Sequence, residues 1–211
     1  MTQYHKIQTI YKRDMTNGKR LLEGEWSLPE FQYLAPLQWT GDEKVDGTNI
    51  RVLWDGERVE VRGKTDNAQL APDLISRIAF LLPPEKFKIL QYPPMCLYGE
   101  GYGAGIQRGG AYSPTKEFIM FDVKINHVWL DRESVEDVAV RLGVDVTPQV
   151  FKGTLLEAVE CVRKGMKSLI GDCASEGLIL RPEVGLRTRW GDRIIAKIKT
   201  CDFTVKPKEN V

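Results

Sequence analysis

The stretch that decides the fold of this chain is Glu43-Lys44-Val45-Asp46-Gly47-Thr48-Asn49-Ile50-Arg51. Strand-like residues flank it, Leu37-Gln38-Trp39 before and residues 50–54 after. An Asp-Gly pair between two such segments is typical of a tight β-turn, which is the simpler interpretation. The other interpretation is a reactive site, because an amine is followed closely by a carboxylate, a glycine, a hydroxyl and an amide. The stretch alone leaves both open.

Five further motifs follow in order: Arg62-Gly63-Lys64-Thr65-Asp66-Asn67, residues 97–107, residues 118–123, residues 175–182 and residues 193–200. Each motif is weak alone, but their order and spacing together favour the reactive site. The chain resembles the covalent nucleotidyltransferases, whose nucleophile motif has the form Lys-x-Asp-Gly. Its Thr48-Asn49 ending resembles the ATP-dependent RNA ligases of the phage-type RNA-repair family. The resemblance runs from about Trp39 to Phe203.

The resemblance implies a three-step ligation. Lys44 would attack the α-phosphate of ATP to form lysyl-AMP, AMP would pass to an RNA 5′-phosphate, and a 3′-hydroxyl would then expel AMP. A lysine side chain is protonated near neutral pH. The first step therefore requires other cations, a metal ion or burial to favour the neutral amine.

The last two motifs supply the other expected catalytic residues. Lys197 and Lys199 alternate with Ala196 and Ile198, and a period of two places both ammonium groups on one face of a strand. Two adjacent cations on a half-buried sheet favour a bound anion such as a triphosphate. Glu176 opens an apolar strand, and the resemblance implies that it acts on Mg²⁺ (or Mn²⁺) or its waters. Because Glu176 lies just before the strand and not within it, it is expected to contribute little to stability.

The remaining predicted site residues match positions that bind the nucleotide in the nucleotidyltransferase family. Glu100 is expected at a strand end, where it would accept from ribose hydroxyls, beside glycines of a tight loop. Alternation predicts Ile119, Phe121 and Val123 on one face, with the Phe121 ring stacked on adenine, although a core phenylalanine is an open alternative. The resemblance also assigns Glu43 and Asn49 to ATP binding.

Relatives often carry an arginine twenty residues after the nucleophile, whereas this chain has Lys64 with Arg62 two residues before it. Either could reach phosphate from the same strand face.

The predicted fold class is α+β, with strands over residues 50–54, 58–62, 95–99, 118–125, 177–181 and 194–200. Three helices are expected: Asp73 to Leu82, about 134–142 between Ser134 as N-cap and Gly143, and about 155–168 behind a Thr154-x-x-Glu157 capping box. The resemblance specifies a ligase nucleotidyltransferase (ATP-grasp-like) domain of antiparallel sheets with flanking helices. We expect a single domain over residues 1–211 without a C-terminal OB-fold domain.

Composition sets the remaining expectations. The chain is 42% hydrophobic and 28% charged, as in ordinary globular proteins. No apolar run is long enough to span a bilayer, no signal peptide is visible, and the four cysteines lack metal-ligand spacing, which favours reduced thiols in the cytoplasm.

Partners are less constrained by composition, because the net charge is only +1. A basic excess from Arg187 to Lys208 could follow a phosphate backbone. The expected partners are RNA ends or nicked duplex RNA, with an end-healing kinase or phosphatase, and no membrane. A DNA ligase, a GTP-using capping enzyme and a nucleic-acid-binding module without catalysis remain alternatives.

Overall fold

The computed structural model describes residues 3–203, which divide into two compact units made of interleaved segments. Unit 1 contains the residues up to His5, Val45–Thr147 and Ile170–Cys173. Unit 2 contains Lys6–Lys44, Pro148–Leu169 and the residues from Ala174 onward. The single domain expected over residues 1–211 stays a prediction. Among the described residues, no helix is long and apolar enough to cross a membrane.

Unit 2 is built on a five-stranded sheet with the order β1-β13-β12-β4-β11. Its strands are β1 (Gln8–Thr9), β4 (Trp39–Lys44), β11 (Gln149–Gly153), β12 (Gly177–Pro182) and β13 (Ala196–Lys199). All neighbours are antiparallel except β1 and β13. A separate hairpin joins β2 (Tyr11–Asp14) to β3 (Arg20–Trp26), and the helices are α1 (Pro29–Leu34) and α5 (Leu155–Arg163). One face of the sheet is apolar and packs with both helices in a core that includes Trp39, Leu178 and Ile198.

Unit 1 is built on a six-stranded sheet with the order β10-β8-β7-β5-β6, in which β9 also pairs with β8. Its strands are β5 (Thr48–Trp54), β6 (Val59–Gly63), β7 (Met95–Tyr102), β8 (Glu117–Ile125), β9 (Val128–Trp129) and β10 (Asp145–Val146). Its helices are α2 (Pro72–Leu81), α3 (Pro84–Ile89) and α4 (Arg132–Leu142). Ile50, Val52 and Trp54 alternate along β5 and enter the apolar core with these helices.

The predicted α+β class with antiparallel sheets is confirmed, and all six predicted strands are present. The Thr154–Glu157 capping box opens α5 as expected, but the helix ends at Arg163 rather than near 168, since Gly165 follows with φ of 85°. The N-cap of α4 is Asp131, whose carboxylate accepts from the Ser134 amide, so the assignment of Ser134 was wrong.

Two helices were not predicted. Both α1 and α3 are short, with six residues each, and both begin at a proline. A proline is well suited to the first turn of a helix, where its missing N–H is not needed. In the pair Pro83-Pro84, which follows α2, Pro83 is the N-cap of α3 and Pro84 is its first residue.

Candidate active site

The strand register of unit 2 places the predicted nucleophile and the last predicted catalytic lysine in one row. Gly177 of β12 lies opposite Lys44 of β4 on one side and opposite Lys199 of β13 on the other. Directly opposed residues point to the same side of a sheet. Lys44 and Lys199 therefore share a face, and only a glycine separates them.

Glu176 occupies the gap between these two lysines. Its Oε2 lies 2.5 Å from Lys44 Nζ and its Oε1 lies 2.5 Å from Lys199 Nζ. The side chains of Lys44, Glu176 and Lys199 are 20%, 14% and 31% exposed, so the cluster is largely shielded from water. A Cβ atom on Gly177 would collide with the Ile198 carbonyl. Glycine is therefore required at the centre of this row.

Backbone and hydroxyl contacts hold Glu176 in place. The buried Ser175 hydroxyl donates to the Gly177 carbonyl at 3.1 Å, and the Gly177 amide returns a bond to that hydroxyl at 3.3 Å. The Thr200 amide donates to the Glu176 carbonyl at 2.9 Å, and the Thr200 hydroxyl donates to the Ser175 carbonyl at 3.0 Å. The turn that carries the carboxylate is thus bonded on both sides, and neither Ser175 nor Thr200 was singled out from the sequence.

A second row on the same face contains Lys197. Ile179 lies opposite both Lys197 and Asp42, and the Asp42 carboxylate pairs with Arg181 on the next alternate position of β12. Period-two spacing from Lys44 and from Gly177 could have identified Asp42 and Arg181. The predicted common face of Lys197 and Lys199 is confirmed, because Ala196 and Ile198 enter the core on the other side.

This face therefore has an excess of positive charge. Across β4, β12 and β13 the cations are Lys44, Arg181, Lys197 and Lys199, against the carboxylates of Asp42 and Glu176. Preorganised cations of this kind can bind an anion and stabilise charge that develops on it.

Glu43 lies on the opposite face from Lys44. It pairs with Leu178 of the core, is 1% exposed, and its Oε2 accepts from the Leu169 amide at 2.8 Å. The structure thus gives Glu43 a structural contact. Its role in ATP binding stays a prediction.

The predicted nucleotide-binding residues Asn49 and Glu100 lie in unit 1. Asn49 of β5 is directly opposite Glu100 of β7, on the face that does not carry Ile50 and its core. Asn49 Oδ1 is buried, and no described residue donates a hydrogen bond to it. A buried acceptor normally has a partner, so this amide oxygen is suited to receive a donor from a ligand.

Glu100 is not at a strand end as expected, because β7 continues to Tyr102. Gly99 and Gly101 beside it serve strand packing, whereas Gly103 and Gly105 follow β7 in a turn with φ of 116° and 82°. A Cβ on Gly101 would lie 2.7 Å from the Leu74 side chain, and one on Gly99 would collide with the Phe118 ring. Gly47 of the nucleophile motif has the same function, since a Cβ there would collide with the Gly101 carbonyl and lie 2.9 Å from Glu100 Cγ.

Phe121 occupies a β-bulge. Tyr98 and Gly99 of β7 pair with Asp122 and Met120 of β8, which leaves Phe121 as the extra residue. The expected common face with Val123 is wrong, because the bulge breaks the alternation and Val123 enters the unit 1 core. Phe121 is only half-buried and stands outside that core, with its ring edge-on to Tyr4 at 5.1 Å between centroids.

The N-terminal residue Tyr4 supports Phe121. Its hydroxyl donates to the buried Asp122 carboxylate at 2.7 Å, and its ring also contacts Tyr98 and Trp129. The sequence did not assign a contribution to this segment.

Arg62 and Lys64 do not share a strand face, because β6 ends at Gly63 and Lys64 is exposed beyond it. Arg62 pairs with Glu60 at 2.7 Å and with Asp66 at 3.2 Å. Asp66 also accepts from the buried Arg51 at 2.7 Å, and this bond, with that of Arg62, holds the pKa of Asp66 below its usual range. Arg51 was not singled out, although an arginine inside an apolar strand is a detectable signal.

The carboxylate of Glu176 is the predicted metal-binding group. A single carboxylate fits Mg²⁺, which retains several waters and commonly uses one or two carboxylates together with substrate phosphates. Among residues 3–203, no group of three or more His, Cys, Asp or Glu side chains is arranged to hold a metal ion. The arrangement that the residues offer is therefore one carboxylate within a cationic face.

Comparison with solved structures shows the fold. RNA ligases of Naegleria gruberi match with a TM-score of 0.65 and 16% identity for a mutant solved with ATP and Mn, and 0.66 and 15% for one with AMP and Mn. These alignments cover 83% of this chain and 52% and 53% of those chains. A third mutant with ATP and Mn matches at 0.66 and 15% identity, over 94% of this chain and 58% of that one.

The chain thus spans about half the length of the solved structures that it matches. No curated protein sequence matches it. The RNA ligase family model matches residues 37–199, from just before β4 to the last residue of β13. This match includes the Lys44, Glu176 and Lys199 cluster and most of the chain, and the chain belongs to the RNA ligase family.

Proposed function

We propose that this chain is an ATP-dependent RNA ligase that joins a 3′-hydroxyl to a 5′-phosphate through lysyl-AMP and RNA-adenylate intermediates. The observation that carries the proposal is the row of Lys44, Gly177 and Lys199 with the Glu176 carboxylate between the two ammonium groups. A family of RNA ligases and a cationic sheet face that suits a polyphosphate both support it.

The first step is a displacement at the α-phosphorus of ATP. The Lys44 amine, after losing a proton, donates its lone pair to phosphorus, and the bond from phosphorus to the bridging oxygen of pyrophosphate breaks. Glu176 Oε2, 2.5 Å from Nζ, holds the amine in one position before ATP binds. Lys197 and Lys199 would offset the charge that develops on the phosphate oxygens.

A divalent cation is expected at Glu176, where Mg²⁺ or Mn²⁺ would offset the negative charge of the triphosphate. The chain itself supplies the cationic face and the fixed carboxylate. Both oxygens of Glu176 contact ammonium groups, so the same carboxylate would hold the cation and position Lys44.

The unit 1 residues are proposed to bind the nucleoside part of ATP. The half-buried Phe121 ring would stack on adenine, and the Glu100 carboxylate would accept from ribose hydroxyls. The buried Asn49 Oδ1 would accept a donor from the nucleotide. Arg62 and Lys64 are proposed to contact phosphate, although the ion pairs of Arg62 with Glu60 and Asp66 must open first.

The second and third steps need RNA. AMP passes from Lys44 to the 5′-phosphate with cleavage of the nitrogen–phosphorus bond, and the 3′-hydroxyl then attacks that phosphate with AMP as leaving group. We propose RNA ends or nicked duplex RNA as substrates in RNA repair, with ends prepared by a kinase or phosphatase. The resemblance of Thr48-Asn49 to repair ligases supports this finer assignment.

Intact-mass spectrometry tests the first step. The protein should gain the mass of one AMP with ATP and a divalent cation, but nothing with GTP, which separates it from a capping enzyme. Lys44→Ala should form no adduct, and Lys44→Arg should not restore it, because a guanidinium stays protonated. An adduct on Lys44→Ala would remove Lys44 as the nucleophile.

Sealing assays test the later steps. Nicked RNA, nicked DNA and hybrid duplexes with a labelled 5′-phosphate should show joining on RNA. Joining of DNA alone would identify a DNA ligase. Failure to form any adduct would instead favour a binding module without catalysis.

A further inference from the structure

A short hairpin of unit 2 carries features that ATP chemistry does not use. The Trp190 hairpin comprises residues 186–194, and it directly precedes β13. The Ile194 amide donates to the Leu186 carbonyl at 3.1 Å, and both side chains pack on the unit 2 core. The Thr188 amide donates to the Asp192 carbonyl at 2.8 Å, so the hairpin is closed near its tip.

The tip itself is ordered by its own hydrogen bonds. The Gly191 amide donates to the Thr188 carbonyl at 2.9 Å, and Gly191 has φ of 88°, which a glycine adopts without strain. The Thr188 hydroxyl accepts from the amides of Trp190 and Asp192 at 3.3 Å each. The Arg187 guanidinium donates to the Gly191 carbonyl at 2.9 Å. Trp190 is therefore presented by a defined turn.

The Trp190 side chain stands out in the solvent. It is 76% exposed, and the Arg189 guanidinium carbon lies 4.3 Å from its ring centroid. Three arginines belong to the hairpin, Arg187, Arg189 and Arg193, against the single carboxylate of Asp192. The hairpin thus combines an exposed aromatic plane with a local excess of guanidinium groups.

This combination matches the chemistry of an RNA strand. Aromatic rings stack on unpaired bases, and arginine forks bind phosphate oxygens in a bidentate geometry. An apolar protein partner would instead favour a contiguous apolar patch with few charges at its centre. The neighbours of Trp190 on the tip are Arg189, Gly191, Asp192 and Thr188, which do not form such a patch.

The position of the hairpin in the chain connects it to the cationic face. Arg193 is four residues before Lys197, so their Cα atoms are at most about 14 Å apart. A strand held at the base of the hairpin would lie within a few nucleotides of the β13 lysines. The basic excess that the sequence shows from Arg187 onward thus begins on this hairpin, while Lys206 and Lys208 lie outside the described residues.

We propose that the Trp190 hairpin binds the RNA substrate, with Trp190 stacked on an unpaired or terminal base and Arg187 and Arg189 on phosphates. The proposal rests on the proposed ligase function, and it assigns a substrate contact that is separate from the ATP-binding residues. The occupant is an RNA strand, and a protein partner is the competing outcome.

Fluorescence anisotropy with a labelled, 5′-phosphorylated single-stranded RNA tests the proposal. Trp190→Ala should raise Kd by about 5- to 150-fold, the range that loss of one base–aromatic stack produces. Trp190→Phe should retain most of the affinity. Arg189→Gln should weaken binding and lower the magnitude of the log–log salt slope by about 0.7, as expected for loss of one phosphate contact on a single strand.

Unit 1 offers a matched control. Phe80 is 75% exposed and has the Arg77 guanidinium 5.8 Å from its ring centroid, and Arg77 also pairs with Glu117. Phe80→Ala therefore removes an equally exposed ring with an arginine over it. It should leave RNA affinity unchanged.

Self-adenylation separates this proposal from the proposed function, because the first step needs no RNA. Trp190→Ala should form lysyl-AMP at the wild-type rate. RNA binding by Trp190→Ala and Arg189→Gln as tight as wild type would overturn the hairpin proposal, as would an equal loss in Phe80→Ala. A change in sedimentation of Trp190→Ala without a change in RNA affinity would identify a protein contact instead. Failure of the wild type to form lysyl-AMP would count against the ligase function, while the anisotropy result would still decide the hairpin.

Discussion

Glu176→Gln should destabilise the folded protein as well as impair adenylation, contrary to the expectation from the sequence that this residue contributes little to stability. In the wild-type protein, the ammonium groups of Lys44 and Lys199 each lie 2.5 Å from an oxygen of the Glu176 carboxylate. A glutamine oxygen can accept from one lysine, but its NH₂ group then faces the other. The substitution therefore removes one charge-assisted hydrogen bond, and it removes the negative charge that offsets the second ammonium group.

The magnitude follows from the exposure of the cluster. Hydrogen bonds to charged groups contribute about 1.5–3 kcal/mol each. Partial solvation of Lys44 and Lys199 moves the contribution to the lower end, about 2–3 kcal/mol for the pair. For a chain of this length, the expected decrease in Tm is about 4–12 °C.

Thermal melting with and without inorganic pyrophosphate provides the assay. Pyrophosphate should raise the Tm of Glu176→Gln more than that of wild type, because an added anion replaces the missing carboxylate. Glu60→Gln is the control, since Glu60 also accepts two bonds from one cation, Arg62, but is 55% exposed. It should leave Tm nearly unchanged. If Glu176→Gln has the same Tm as Glu60→Gln and pyrophosphate does not raise it, the carboxylate does not hold the two lysines in the folded protein.

Three further outcomes are expected. Lys197→Ala should slow self-adenylation at saturating ATP with little change in ATP affinity, because charge develops during phosphoryl transfer; a pure loss of affinity would contradict this. Phe121→Ala should weaken ATP binding by roughly 1–3 kcal/mol, by analogy with base–aromatic stacking, and unchanged affinity in saturation kinetics would exclude stacking. Burial raises the pKa of the Cys96 thiol to about 11 from its usual 9.0. Between pH 9 and 11 the thiol therefore ionises in the unfolded state but not in the folded state, and the free energy of unfolding should fall over this range. Cys96→Ala should show a smaller fall in equilibrium unfolding, and an identical profile would refute the assignment.

The features that the sequence predicted correctly are local. The capping box of α5 involves residues three apart, and the common face of Lys197 and Lys199 follows from the period of one strand. Two predictions about single strands were wrong because the structure of each strand depends on a neighbouring segment of the chain. The bulge at Phe121 exists only in the pairing of β8 with β7, and the continuation of β7 past Glu100 depends on Gly47 allowing close approach.

Only the tertiary structure decided how the candidate site is assembled. By itself, the sequence determined the order of the motifs, the α+β class and the membership of Lys44, Glu176 and Lys199 in one family pattern. It could not determine that Lys44 and Glu176, 132 residues apart, are in contact. That contact depends on the register of β4, β12 and β13, which is set by packing of Trp39, Leu178 and Ile198 on the opposite face. A shift of one residue in β4 would turn Lys44 into the apolar core, and the same shift in β13 would turn Lys199 into it, because side chains alternate across a strand.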